Sequence, residues 1–280
     1  MNLVSKHDKR MRVLCTVVLI LGAVICLFPF FWLIRTSLMD LREIYVQPPM
    51  LWSDAPHWEN YKAIFSEEFP FVQYLKNTLT ILIPVTVGTV LTSSMAAYAF
   101  ARLRFAKKKL WFTLCIATML LPGAVTMIPG FIMWNRLGLV NTYWPLIIPA
   151  FFGGGAFNIF LLRQFIMGIP RELDEAAYME GASFFWVYRK VIIPLIRPGL
   201  AVVTVFTALG CWNDFMGPLI MLYDPEKYTL ALAMQQFSSS YGSNLGVIMA
   251  GAAVMTVPAV LLFICCQRFF VNGMVMSGMK

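Results

Sequence analysis

Residues 13–34 read VLCTVVLILGAVICLFPFFWLI, 22 consecutive positions without a charged side chain. A helix rises 1.5 Å per residue and the hydrocarbon core of a bilayer is about 30 Å thick, so roughly 20 such residues suffice to cross it. Basic residues precede the run, as in a signal peptide. It is longer than an apolar signal core, however, and has no A-x-A cleavage site, so it is expected to remain as a membrane helix. Five further blocks meet the same criterion: Asn77 to Ala101, Leu110 to Trp134, Trp144 to Leu162, Gly199 to Tyr223 and Leu245 to Cys266. Of the six, only Gly199 to Tyr223 holds a charge, Asp214.

The composition agrees with these blocks. Of 280 residues 59% are hydrophobic and 13% charged, against roughly 45–50% and about 25% in soluble domains. The reading is an all-α membrane protein with six transmembrane helices. An even number of crossings puts both termini on one side, and the Lys/Arg bias names the side. With the N-terminus inside, sixteen Lys and Arg residues fall on the inner side and six on the outer, so both termini are expected to be cytoplasmic.

The net charge of +8 does not point to nucleic acid, because the basic residues edge the apolar blocks and form no aromatic-interleaved basic segment. All six cysteines lie inside apolar blocks without CxxC spacing and read as packing residues. Prolines such as Pro29, Pro84, Pro122, Pro129 and Pro258 read as tolerated kinks. The only histidines, His7 and His57, lie outside the blocks, which leaves no histidine–carboxylate set for metal or proton chemistry within the membrane. No catalytic residue, metal site or cofactor is therefore expected. The halves of the chain do not repeat one another, which suggests a half-channel that needs a partner.

Between the fourth and fifth blocks lies the polar stretch 169–198, IPRELDEAAYMEGASFFWVYRKVIIPLIRP. It predicts two short helices. Pro170 suits a first helical position, Glu172, Asp174 and Glu175 complement the positive helix end, and Gly181 can take the left-handed turn that ends it. Ser183 can cap the second helix, and Pro194 limits it. Leu173, Ala176, Ala177 and Glu180 share one helical face, on which two alanines would admit another protein's backbone. A helix lying on the membrane surface would present the same pattern.

Glu175-Ala176-Ala177, then Gly181, then Val191-Ile192-Ile193-Pro194 resemble the EAA signature of ABC-importer permeases, with the spacing and chain position that family uses. Glu180 stands where the sugar permeases usually have Asp, and Val191 and Ile193 where the family more often has Ile and Leu. The resemblance implies a type I ABC importer permease fold. It implies that Glu175, Ala176, Ala177, Glu180, Gly181 and Ala182 couple to a cytoplasmic ATPase dimer. No GxxxxGK[ST] sequence occurs in the chain, so ATP and its Mg would be bound by that other subunit.

Further segments resemble the shorter, six-span partner of the maltose-type carbohydrate permeases. These are Trp58-Glu59-Asn60-Tyr61 and Asn77-Thr78-Leu79, Ala96-Ala97-Tyr98-Ala99-Phe100-Ala101-Arg102, Cys211-Trp212-Asn213-Asp214-Phe215 with Pro218, Gln267-Arg268-Phe269-Phe270 with Gly273, and the ending Ser277-Gly278-Met279-Lys280. Leu245 sits where many relatives have Trp. The resemblance implies a single permease domain, 1–280, in a bacterial plasma membrane, with 169–198 as coupling loop and 35–76 as extracytoplasmic loop. Its implied partners are a second homologous permease, an extracytoplasmic solute-binding protein and a carbohydrate substrate.

Trp212, Asn213 and Asp214 are the candidates for the translocation pathway. Asp214 lies about 22 Å along its block from Gly199, and a carboxylate there must face protein or water. An aromatic face, an amide and a carboxylate together can hold a sugar, or Asp214 can tie helices or line a gate without touching solute. The outer loop combines Asp40, Glu43, Asp54, Glu59, Glu67 and Glu68 with several aromatics, which suit either the headgroup zone or a docked binding protein. A permease for amino acids, peptides or a phosphorylated polyol shares the EAA loop. An ion-coupled carrier would want more buried ionisable groups than Asp214 alone.

Overall fold

The computed structural model describes residues 6–66, 69–240, 242 and 244–277. Glu67, Glu68 and the ending at 278–280 lie outside these residues. In chain order the helices are α1 Lys6–Ser37, α2 Leu41–Tyr45, α3 Glu59–Ile64, α4 Phe71–Ala101, α5 Lys108–Ala117, α6 Gly123–Arg136, α7 Trp144–Ile147, α8 Ala156–Met167, α9 Glu172–Met179, α10 Phe184–Val187, α11 Ile193–Leu195, α12 Arg197–Trp212, α13 Met216–Met221, α14 Leu230–Ser240 and α15 Leu245–Ser277. No strand occurs among the described residues.

Four stretches are long and apolar enough to cross a membrane: Met11–Ser37, Phe71–Ala101, Trp144–Met167 and Leu245–Cys265. Two bent pairs raise the number to as many as six. Lys108–Leu120 meets Gly123–Arg136 at 99°, and Phe184–Leu195 meets Arg197–Trp212 at 79°.

The block read as Leu110 to Trp134 is thus two helices and not one. Its break falls at Leu121 and Pro122, whose ψ angles of 117° and 134° are extended, because a residue before proline is pushed out of the helical region. The block Gly199 to Tyr223 also breaks, at 213–215 between α12 and α13. Pro218 has no N–H to return to residue 214, and Asp214 Oδ1 accepts instead from Gly217 N at 3.1 Å. The block Trp144 to Leu162 is interrupted as well, by Gly153, Gly154 and Gly155, all at positive φ.

Of the described residues, those within 1–70 and 236–257 form one compact unit, and those within 71–235 and 258–280 form another. In the first, the loop after α1 is a folded structure. Arg35, 1% exposed, donates from Nε to Met50 O at 2.8 Å, also through Nη2, and stacks 4.3 Å over the Trp32 ring. Asn60 Nδ2 donates to Ser37 O and Met39 O at 3.0 and 3.1 Å, and the Tyr61 hydroxyl lies 2.7 Å from Ser37 Oγ. Asp40 and Glu43 close a capping box on α2.

The second unit is built around α4, which packs against α8 and α12. Small residues allow the approach. A Cβ on Gly88 would fall 2.8 Å from the Phe151 ring, and one on Gly199 2.8 Å from the Phe165 ring. Ala97, Tyr98, Ala101, Ile159, Leu162, Ile166, Ala177, Val187, Ile192 and Val203 are buried together, so 169–198 packs into the same core as the long helices.

Candidate functional site

The segment 169–198 folds as two helices around a tight turn. α9 starts at Glu172, two residues after Pro170, with Arg171 at its N-cap and Glu172, Asp174 and Glu175 in its first turn. At its end Gly181 takes φ +84°. Gly181 N donates to Tyr178 O and Ala182 N to Ala177 O, both at 3.0 Å, the paired bonds of a Schellman turn, which requires the left-handed residue. Ser183 Oγ then accepts from Trp186 N at 3.2 Å and caps α10.

The chain does not end its helix at Pro194. Residues Tyr188–Ile192 widen into a π-turn, in which Ile193 N donates five residues back to Tyr188 O. A proline ring crowds the carbonyl four residues before it, and a wider turn relieves that crowding.

Burial divides the face expected from the sequence. Ala177 packs into the core with Asp174, while Leu173, Ala176 and Glu180 are exposed, together with Glu175 and Gly181, and Ala182 is half-buried. Met179 is 89% exposed, and Phe184 and Phe185 stand out beside it. The turn therefore presents a small, mixed acidic and apolar surface on a backbone fixed from beneath.

What fixes it is a set of contacts with α4 and with Arg102, the residue that follows its last turn, that sequence reading missed. Arg102 Nε lies 2.7 Å from Asp174 Oδ2, with side-chain exposures of 5% and 7%, and Arg102 Nη2 donates to Ile169 O at 2.7 Å. The Nε contact is an ion pair without hydrogen-bond direction, and Asp174 Oδ1 has no hydrogen-bond partner among the described residues. Burial pushes the Asp174 carboxyl above the usual carboxylate range, outweighing the pull of Arg102 and Arg171. One turn earlier, the Tyr98 hydroxyl donates to Phe184 O at 3.2 Å and lies 3.1 Å from the Tyr178 hydroxyl. Ser94 Oγ lies 2.7 Å from the Tyr188 hydroxyl. The signal available in the sequence was the four-residue spacing of Ser94, Tyr98 and Arg102. A cavity of about 420 Å³ opens beside the ion pair, lined by Arg102, Arg104, Arg171, Asp174, Glu175 and Tyr178 among others.

At the break after α12, Trp212 is buried and Asn213 exposed, with Asn213 Nδ2 turned back onto Leu209 O at 2.9 Å. Asp214 caps Gly217 N, so one of its oxygens serves the backbone. The chain beyond the break is held in two places. Asn141 Oδ1 accepts from Tyr223 N and Asp224 N, and its Nδ2 donates to Asp224 Oδ2 at 2.6 Å. Asn77 Nδ2 donates to Glu226 O and Tyr228 O, and Thr78 Oγ1 accepts from Leu230 N at 2.8 Å. Two resembling segments thus act as braces: Asn60-Tyr61 within the first unit and Asn77-Thr78 within the second. Among the described residues no three His, Cys, Asp or Glu side chains gather as a metal site needs.

The chain is 32% identical over 260 residues to the arabinooligosaccharides transport system permease protein AraQ of Halalkalibacterium halodurans, covering 92% of each. It is 29% identical over 268 residues to the diacetylchitobiose uptake system permease protein NgcG of Streptomyces coelicolor, covering 94% of this chain and 87% of that one. With the sn-glycerol-3-phosphate transport system permease protein UgpE of Yersinia pestis it shares 30% identity over 283 residues, 97% of this chain and 99% of the other. Its fold is similar to that of a bacterial ABC transporter involved in the import of the acidic polysaccharide alginate, with a TM-score of 0.77 at 23% identity over 96% of this chain and 100% of that one. A second alginate ABC transporter structure, solved with an alginate pentasaccharide-bound periplasmic protein, matches at TM-score 0.64 and 18% identity over 95% and 96%. The sequence pattern of the binding-protein-dependent transport system inner membrane components matches residues 68–275, well over half of the chain, and the chain is a multi-pass membrane protein of that family.

Proposed function

We propose that this chain is the transmembrane subunit of an ATP-driven importer that carries a carbohydrate, and more narrowly an oligosaccharide, into the cytoplasm. The observation that carries the reading is the Schellman turn at Gly181, which holds Glu175, Ala176 and Glu180 outward on a segment anchored to α4. The named sugar permeases among its relatives, AraQ and NgcG, support the substrate class.

In this reading both termini are cytoplasmic in a bacterial plasma membrane, the bent pairs complete six spans, and 169–198 seats in a cleft of an ATPase dimer. ATP and Mg belong to that dimer, and this chain does no chemistry. A second homologous permease completes the channel, and a solute-binding protein docks on the outer side. Closure of the ATPase pair draws Glu175 to Gly181 with it, rotates the permease pair and opens the cavity outward. Return after hydrolysis releases the solute inside. Trp212, Asn213 and Asp214 lie at the helix break on the solute path.

The test is purification of this chain from its native membrane in mild detergent with mass spectrometry of its companions. Recovery of a second EAA-bearing permease and a GxxxxGK[ST]-bearing ATPase supports the reading. A lone chain that still transports sinks it. A second reading, a phosphorylated polyol as solute, is favoured by the similarity to UgpE. Competition of labelled glycerol 3-phosphate against arabino-oligosaccharides for uptake separates the two.

A further inference from the structure

Three side chains at four-residue spacing, Ser94, Tyr98 and Arg102, each join α4 to the coupling segment through polar groups, at Tyr188, at Tyr178 and Phe184, and at Ile169 and Asp174 respectively. The Ser94–Tyr188 rung is buried and the other two are partly buried, with the Arg102 and Asp174 side chains 5% and 7% exposed. Apolar side chains alone would let two packed helices slide or roll. A buried ion pair and oriented hydroxyls do not, because separation strands a carboxylate and a guanidinium away from water.

α4 is also fastened at its other end. Asn77 and Thr78 hold the backbone of Glu226, Tyr228 and Leu230, in the stretch that follows the break at 213–215. Between Asn77 and Arg102 the helix spans about 38 Å at 1.5 Å per residue. A displacement of the coupling segment therefore has a continuous route to the chain that flanks Trp212, Asn213 and Asp214.

We propose that the Ser94–Tyr98–Arg102 ladder locks α4 to the coupling segment as one lever, and that Tyr98, Arg102 and Asp174 are positioning residues that convert ATPase movement into movement of the solute path. The proposal rests on the importer reading above. It gives Asp174, one residue before the EAA signature, an inward task distinct from the outward-facing Glu175.

The experiment uses the complete transporter, purified with its own partners and reconstituted in vesicles. It measures ATP hydrolysis together with uptake of a tritiated mixture of arabino-, chito- and malto-oligosaccharides. In Tyr98→Phe, Arg102→Gln and Asp174→Asn the ATPase copurifies as in the unaltered complex, while ATP hydrolysed per sugar moved rises roughly fivefold or more, as loss of coupling between two sites predicts. The double variant Arg102→Gln/Asp174→Asn is no worse than Arg102→Gln alone, because the ion pair is already lost there and Asp174 makes no other bond to α4 among the described residues. Fewer assembled complexes with unchanged ATP per sugar would mean a purely structural role and would overturn the proposal. If Arg102→Gln does not assemble, Tyr98→Phe, which removes one oxygen, decides between the same two outcomes. Unaltered vesicles that move sugar without the ATPase would instead remove the importer reading, and the lever with it.

Discussion

A Cβ placed on Gly154 would lie 2.6 Å from the carbonyl oxygen of Thr89. The triple-glycine turn at 153–155 thus presses its backbone directly onto α4, and no side-chain movement can relieve the contact.

Gly154→Ala combines this clash with a φ of +63°, and is expected to cost about 2 kcal/mol or more. Gly155→Ala also sits at positive φ, with a ψ of 138° outside the left-handed helical region, but its Cβ would meet only Asn158 Nδ2 at 3.7 Å, so it should lose about 1–2 kcal/mol from conformation alone. Thermal unfolding of the two variants in detergent should rank them in that order. Equal losses would remove the close approach as the cause.

Gly181 stands at φ +84° with open space around its Cα, so a substitution there acts through the backbone alone. Uptake should fall in the order Gly, Asn, Ala, Val, because Asn tolerates the left-handed region and a β-branched residue does not. Membrane insertion, read by protease accessibility, should stay the same throughout. Normal uptake by Gly181→Val would count against the docking of this turn to an ATPase.

Asp214 can be tested for its two open roles with one pair of variants. Asparagine keeps an oxygen for Gly217 N, whereas alanine removes the cap at a cost of about 1 kcal/mol. If capping is the whole role, Asp214→Asn transports normally and Asp214→Ala is less stable. A loss of sugar affinity in Asp214→Asn at unchanged stability would assign the carboxylate to the solute path.

Asp224 is held below the usual carboxylate range by the Asn141 amide and then by the Lys227 ammonium. A depressed value adds stability that is complete above the unfolded value, about 4, and is lost as pH falls through the folded one. Protection of amides 222–230 against hydrogen exchange should therefore be flat from neutral pH down to about 5 and weaken below about 4. Asp224→Asn should abolish that acid dependence. Persistence of the same acid step in the variant would assign it to another group.

The sequence showed the apolar blocks because the bilayer demands length and absence of charge, and both are written residue by residue. Gly181 and Ser183 were legible for the same local reason, since a left-handed turn and an N-cap are decided within four residues. The breaks at Leu121–Pro122 and at 213–215 were less so. Hydropathy is blind to direction, and a proline inside an apolar block signals a kink, a break or neither until its neighbours are known.

The membrane character, the two-helix turn within 169–198 and the family were thus determined by the sequence itself. Which side of α9 faces inward was not. Helical spacing grouped Leu173, Ala176, Ala177 and Glu180, yet Ala177 is buried and the other three are exposed. That choice depends on Arg102, more than seventy residues earlier, which draws Asp174 into the core. A buried charge takes its orientation from whichever opposite charge the fold brings to it, and only the packing of α4 against the 169–198 segment supplies that partner.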